Sequence, residues 1–192
     1  MQARAHARAI PCVRAVREIR VVGRDGQKVQ ALARDIQQEQ GLLALPAASF
    51  REAAAGASII CATTHAAEPV VIGKWVEPGT HLTSVGVNPH GRELDSDTVV
   101  KSLVVVESRQ AVLAPPPSGT NDLRIPLQEG VISEQHLLAE IGDLLSGQRA
   151  GRTSSEQITL YKSVGVAVQD AVAAQLILDA ARQQGAGIEM AL

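Results

Sequence analysis

Four short stretches of this sequence carry residues that could hold a ligand, and each closes or follows an apolar run. The first is Gly23-Arg24-Asp25, with Lys28 one helical turn further on. An acid closing such a run would bind a ribose 2′-hydroxyl, and Gly23 stands in that place instead. Arg24 is then free to meet a 2′-phosphate with its guanidinium fork, although read alone it is equally a surface arginine. In Cys61-Ala62-Thr63-Thr64-His65, small residues let a ligand lie against backbone, and the hydroxyls of Thr63 and Thr64 can bond it. Threonines also end strands for structural reasons, and His65 reads as a loop histidine rather than a base. The run His81-Leu82-Thr83-Ser84-Val85-Gly86-Val87-Asn88 puts polar Thr83 and Ser84 inside a segment that should be buried, and closes it with Gly86 and Asn88. Tyr161-Lys162-Ser163-Val164-Gly165 reads as the opening of a helix whose free N–H groups face an anion or carbonyl. A glycine inside that first turn costs about 1 kcal/mol relative to alanine, so ligand approach or tight backbone packing is expected at Gly165. No Ser/His/Asp arrangement, paired carboxylates or metal-ligand spacing stands elsewhere, and no metal is expected.

The elements needed to position these stretches are short strands alternating with helices, the pattern of a parallel α/β sheet. Strands are expected at 18–22, 42–45, 58–62, 81–87 and 103–107, and helices at 26–40 and 49–55. Asp25 is a plausible cap for the first of these helices, and Ser49 with Glu52 spells a capping box for the second. After the Pro-rich loop at 114–120, residues 133–146 recover helical spacing, with Leu137, Leu138, Ile141, Leu144 and Leu145 on one face. A final helix is expected over 162–183. In such sheets ligands bind beyond the carboxyl ends of the strands, which is where the four stretches fall. A dinucleotide fold opens with a strand and a glycine-rich turn, yet Gly23 is the first glycine here and residues 2–10 read as the helix after such a turn. The expected fold is thus a Rossmann-like parallel sheet lacking its first strand and Gly-rich turn. It divides into an incomplete dinucleotide-binding domain over 1–130 and a C-terminal helical segment over 131–192.

Composition narrows the classes. Hydrophobic residues are 45% and charged ones 20%, enough for a sizeable core and against disorder. With only Phe50, Trp75 and Tyr161 as aromatics, a nucleic-acid surface of stacked rings is excluded. The net charge of -2, with arginines gathered early in the chain, reads as a solvated basic helix face. Cys12 and Cys61 lack paired spacing and are expected as buried thiols in a reducing compartment. No stretch is long and apolar enough to span a bilayer, and a cytoplasmic location is expected.

Taken in order, several of these pieces resemble the ornithine cyclodeaminase and mu-crystallin family of NAD(P)-dependent enzymes. The resemblance runs from Gln2-Ala3-Arg4-Ala5-His6 through Val22-Gly23-Arg24-Asp25 and Ala62-Thr63-Thr64. It continues through Glu77-Pro78-Gly79-Thr80 with the following strand, and Gly91-Arg92-Glu93-Leu94-Asp95. It closes with Thr159-Leu160-Tyr161-Lys162-Ser163-Val164-Gly165 and Asp170. The resemblance implies that Gln2 is the remnant of the glycine-rich turn and that Arg24, Asp25 and Lys28 approach the adenosine ribose. It implies Thr63 and Thr64 on the adenine side, and His81, Leu82, Thr83, Ser84, Val85 and Gly86 along the nicotinamide half. Arg92 and Ser163 would stand near the same ring, and Val164 would border the substrate. The activity implied is NAD(P)H-dependent reduction of a cyclic imine or dehydrogenation of an amino acid, with NADP(H) favoured over NAD(H) from Arg24. Ornithine cyclodeamination, or a catalytically inactive truncated binding protein, is the alternative.

Two departures from the family pattern qualify this. Asn88 occupies the position of an aspartate thought to activate water in the cyclodeaminases, and an amide cannot serve as that base. The family's N-terminal half has no counterpart, and with it go the cationic residues that grip the substrate carboxylate and much of the homodimer interface. The 192 residues alone are therefore expected to be inactive or severely impaired, with the C-terminal helices left to pack on the absent half.

Overall fold

Short aliphatic runs bounded by turns become strands, and every pairing among them is parallel, in a computed structural model that describes residues 1–188 and Met190. In chain order the strands are β1 (Glu18–Val21), β2 (Leu43–Pro46), β3 (Ile59–Ala62), β4 (His81–Ser84), β5 (Ser102–Val106), β6 (Leu137–Glu140) and β7 (Ile158–Lys162). The helices are α1 (Gln2–Ala9), α2 (Gly26–Gln40), α3 (Phe50–Ala54), α4 (Ser96–Lys101), α5 (Arg109–Leu113), α6 (Asn121–Gln128), α7 (Ile141–Leu145) and α8 (Ala167–Gln184). The chain is an α/β protein, as the alternation of elements predicts.

Local chemistry sets the helix starts. Asp25 caps α2, its Oδ1 accepting from the backbone N–H of Gln27 at 3.1 Å and of Lys28 at 3.2 Å. Ser49 does the same for α3, where its hydroxyl oxygen accepts from Glu52 N–H at 3.1 Å while Glu52 reaches back to Ala48 N–H at 3.0 Å.

The sheet is divided. β1 and β2 form a two-stranded piece, and β3-β4-β7-β5-β6 form a five-stranded one. Each piece has its own apolar core, Ala33, Ile36 and Ala44 under the first and a larger cluster around Leu82, Leu94, Val104 and Leu160 under the second. Among the described residues, β1 and β3 each have one edge without a strand partner. Both line a cleft of ≈ 510 Å³, together with Leu32, Ile36 and the α1 residues Ala3 and Ala7. Arg20 on β1 donates to the backbone oxygens of Glu52 at 3.0 Å and Ala55 at 2.6 Å, fixing the end of α3 that leads toward β3.

Three expectations fail. Residues 133–146 are not a helix: a single 3₁₀ turn at Glu134–His136 leads into β6 and then α7. Leu137 and Ala139 are buried while Leu138 and Glu140 are only half-buried, the period-2 burial of a strand paired to β5. The apparent helical face is made of apolar residues that belong to two different elements. Second, the last helix starts at Ala167 rather than 162, because Lys162 ends β7, which lies between β4 and β5. Residues 131–192 are therefore not a helical segment apart from the sheet; they supply its central strand and one edge. Third, Cys12 is exposed rather than buried. Cys61 is partly buried on the cleft, and burial pushes its thiol up to about 11.

α8 buries none of its residues, and Val168, Val172, Leu176 and Ile177 are each more than half exposed. Among the described residues no helix is long and apolar enough to cross a membrane.

Candidate functional site

The four stretches all lie at or just beyond strand ends. At the end of β1, Arg24 is exposed and makes no ion pair among the described residues. Lys28 stands 3.5 Å from Asp25. The Lys28 backbone N–H first, then its ammonium and the N–H of Gln27, hold the Asp25 carboxyl below the usual carboxylate range. Gln2 is not level with this group. Arg4 pairs with Asp35 and Arg8 with Glu39, so α1 runs alongside the second half of α2 and its first residue lies near the middle of that helix.

The ends of β3, β4 and β7 meet in one buried polar network. Lys162 is fully buried at the last position of β7, and its Nζ donates to Asp122 Oδ2 at 2.8 Å, Ser84 Oγ at 2.9 Å and the Gly86 oxygen at 2.6 Å. All three protons of the ammonium are used. Glu93, 2% exposed, accepts at Oε2 from Ser84 Oγ at 2.8 Å and Gly86 N–H at 2.9 Å. Its Oε1 accepts from Thr64 Oγ1 at 2.6 Å and from the Thr64 N–H. Asp122, at the start of α6, accepts at Oδ1 from the backbone N–H groups of Glu93 and Leu94 and at Oδ2 from Thr120. Thr64, Ser84 and Gly86 are thus brought together, and the polarity of Ser84 inside β4 has its explanation. Gly86 is required by contact, since a Cβ there would lie 2.1 Å from Thr64 O and 2.3 Å from the Glu93 carboxyl carbon.

Beyond β7 the chain turns across this block. Ser163 N–H donates to Ser84 O at 3.0 Å, and Val164 N–H donates to Glu107 Oε1 at 2.7 Å. Gly165 precedes α8 instead of lying in its first turn; its φ is +84° and nothing stands within 4 Å of a Cβ placed there. A left-handed turn, not tight packing, is the reason for glycine.

Other expected positions fall elsewhere. Thr63 lines the cleft between β1 and β3, and Thr83 is buried inside β4. Val85 N–H continues the parallel pairing to Ala62 O at 3.1 Å. Leu82 is core, 1% exposed. His81 starts β4, about 10 Å down the strand from Ser84 at the usual rise per residue. Its Nδ1 meets Thr159 Oγ1 at 2.8 Å, and burial, with Arg152 and Arg14, holds its imidazole below the ordinary value. The structure therefore does not bring His81 or Leu82 to the strand ends. Arg92 is turned away too, donating to Ser96 Oγ at 2.9 Å and lying 3.9 Å from Glu129.

Asn88 is engaged as a bracket. Its Nδ2 donates to His65 O at 3.2 Å and Ala66 O at 3.1 Å, and its Oδ1 accepts from His90 N–H at 2.9 Å. It pins the loop after β3 to the loop after β4 with donors that a carboxylate lacks. Asn88→Asp should therefore lower stability by about 1–2 kcal/mol at pH 7, read as a drop in thermal midpoint. An unchanged midpoint would remove this role.

The residues that sequence reasoning passes over are Lys162, Glu93, Asp122 and Glu107. All are charged residues in or beside apolar segments, where exposure is the ordinary expectation.

Comparison with known proteins places this arrangement. The model of the ornithine cyclodeaminase/mu-crystallin family matches residues 1–185. A Delta(1)-pyrroline-2-carboxylate reductase of Bacillus cereus is 37% identical over 188 residues, 97% of this chain and 56% of that relative. The solved Thermococcus litoralis Delta(1)-pyrroline-2-carboxylate reductase, in complex with NADH and L-proline, superposes with a TM-score of 0.93 at 37% identity. It covers 98% of this chain and 58% of its own. An archaeal alanine dehydrogenase dimer with bound NAD superposes at 0.87 and 26% identity over 100% of this chain and 57% of its own. The chain thus spans little more than half the length of the relatives it matches. On the extent of the family match and the identity of these relatives, the chain belongs to the ornithine cyclodeaminase/mu-crystallin family.

Proposed function

We propose that these residues form the coenzyme-binding body of an NAD(P)H-dependent reductase of cyclic imines of the pyrroline-carboxylate type. The observation that supports this most is the rigid block at the ends of β3, β4 and β7, with the turn Ser163-Val164-Gly165 crossing it. The likeness to a reductase holding NADH and L-proline points to the same substrate class. Ornithine cyclodeamination is disfavoured, because the amide of Asn88 is committed to two backbone oxygens and is no base.

The residues present fit the two ends of a nicotinamide dinucleotide better than its middle. Arg24 and Lys28 suit the adenosine ribose, Thr63 and Thr64 the adenine side, and Thr83 through Gly86 with Ser163 the nicotinamide half. Val164 borders the substrate. Gln2 opens α1, and the ion pairs of Arg4 and Arg8 with Asp35 and Glu39 set that helix beside the second half of α2. A bound reduced nicotinamide would supply the hydride. The chain's own work is to orient that ring against the β4 and β7 ends and to exclude water beneath it. A single extended strand belongs in the cleft between β1 and β3, and the bare apolar side of α8 packs against further parts of the family's fold, including the homodimer contact. With no strand in that cleft among the described residues, poor turnover is the expectation for the 192 residues alone.

NADP(H) is the preferred coenzyme in this reading, because Arg24 is the exposed cation without an ion pair beside the capped start of α2. In protein extended to the family's full length, reduction of Δ1-pyrroline-2-carboxylate with NADPH tests both points. Turnover is expected, and its absence with this and other cyclic imines would overturn the reading. Arg24→Ala should weaken NADPH by about 10–100-fold, the worth of a charge-assisted pair, and NADH far less. Equal effects on the two coenzymes would remove the preference.

A further inference from the structure

Burying charge is expensive, and well-packed apolar residues usually serve stability as well as a buried ion pair does. Lys162, Asp122 and Glu93 are nevertheless all 2% exposed or less and gathered at one level of the sheet. Their bonds join segments far apart in sequence: the β3 end through Thr64, the β4 end through Ser84 and Gly86, the start of α6 through Asp122, and the β7 end through Lys162 itself. Lys162 bonds both the β4 end and α6 through one side chain, whereas Glu93 reaches them separately, by its carboxylate on Ser84 and Gly86 and its backbone N–H on Asp122. The residue after it, Ser163, is bonded to the same Ser84 whose hydroxyl Lys162 holds.

We propose that Lys162 is a positioning residue, whose ammonium locks the β4 and β7 ends together and, through Ser84 and Glu93, the β3 end, and so fixes the backbone of Gly86 and Ser163–Val164 that faces the nicotinamide half of the coenzyme. The proposal rests on the coenzyme reading for the purpose of the block, but not for its existence. An apolar filler would pack the space without defining where Gly86 O and Ser84 Oγ stand relative to β7. An ammonium with three fixed acceptors does define it.

The test uses the 192-residue chain carrying Lys162→Met together with Asp122→Asn. This pair removes the ion pair as a unit, leaves the Glu93 carboxylate on its donors from Ser84, Gly86 and Thr64, and lets the asparagine oxygen still accept from the Glu93 and Leu94 N–H groups. The variant is expected to melt above Lys162→Met alone, though below wild type by the lost bonds to Ser84 Oγ and Gly86 O. Native-state hydrogen exchange at the Thr64 and Gly86 amides should quicken by about ten-fold or more, the loss of roughly one hydrogen bond, while Val105 and Ala139 in the β5–β6 pair stay unchanged. A merely structural role would quicken all four together, and no change at Thr64 and Gly86 would equally overturn the proposal. Ser84→Ala, which removes two hydrogen bonds and no charge, gives the same local pattern should the double variant not fold. In a second arm, NADH affinity should fall about ten-fold while ADP-ribose, which has no nicotinamide, binds as before. If the wild-type chain binds neither ligand, the coenzyme reading fails, and the exchange measurement still decides the positioning role. Equal loss of both ligands would sever the block from the nicotinamide half.

Discussion

Lys162→Met alone should cost the fold about 3–5 kcal/mol, the usual penalty for leaving one partner of a buried pair uncompensated. The methionine removes three hydrogen bonds and strands Asp122 at 2% exposure. Against a total stability of roughly 5–15 kcal/mol, such a loss brings the chain near unfolding at room temperature. Urea denaturation measures it as a fall in the midpoint at constant slope. A loss under about 1 kcal/mol would mean that water or a shifted side chain relieves Asp122, and the network would not be the rigid element described here. The contrast between this single change and the double variant is informative in itself: removing one partner of the ion pair costs more than removing both.

The second large effect concerns the divided sheet. β1 and β3 each turn an unpaired backbone edge toward a cleft lined by Ile19, Val21, Ile36 and Ile60. Unpaired edges flanking apolar walls are a template for another strand, and exposed edges of this kind associate with whatever extended chain is near. A segment filling the cleft would hydrogen-bond on both sides and bury apolar side chains on both faces, as strands inside parallel sheets do. The same strand would end at the level of Gly23 and Thr63, where a dinucleotide's phosphates must pass in this kind of fold. Filling the gap should therefore tighten coenzyme binding by about a hundred-fold, worth roughly 2.7 kcal/mol, because it supplies backbone donors and fixes β1 against β3 together.

How much of this is legible in the sequence varies by element. α2 can be read to its limits because Asp25 and a long amphipathic run mark it without ambiguity. β1 to β5 are found within a residue or two at most ends, since short aliphatic runs between turn residues leave few alternatives; β4 alone ends three residues before the expected limit at Val87. β6 is hidden because Leu137 to Leu145 satisfies helical spacing although Leu137 and Ala139 pack as a strand. β7 is hidden because Tyr161 and Lys162 run into the apolar helix that follows, and nothing local shows that Ile158–Lys162 is the middle strand of a sheet.

The site shows the same limit. Arg24, Thr64, Ser84, Gly86 and Ser163 can be named from strand-end position and from the family resemblance. Glu93 and Lys162 cannot be given their roles, because their partners are decided by long-range packing: Lys162 meets a serine 78 positions earlier. His81 is expected among the ring-facing residues because it begins the right strand, yet a strand has two ends and His81 is at the wrong one.

The central claim is that these residues are a coenzyme-binding body with one strand's width left open between β1 and β3. Equilibrium dialysis of NADH and NADPH tests it most directly, with the chain alone and with the chain joined to a segment of about six β-branched residues that spans β1 and β3 at the usual rise per residue. The account predicts weak binding to the chain alone and about a hundred-fold tighter binding once the segment is in place. Tight binding by the unfilled chain, or no response to the added strand, would contradict it.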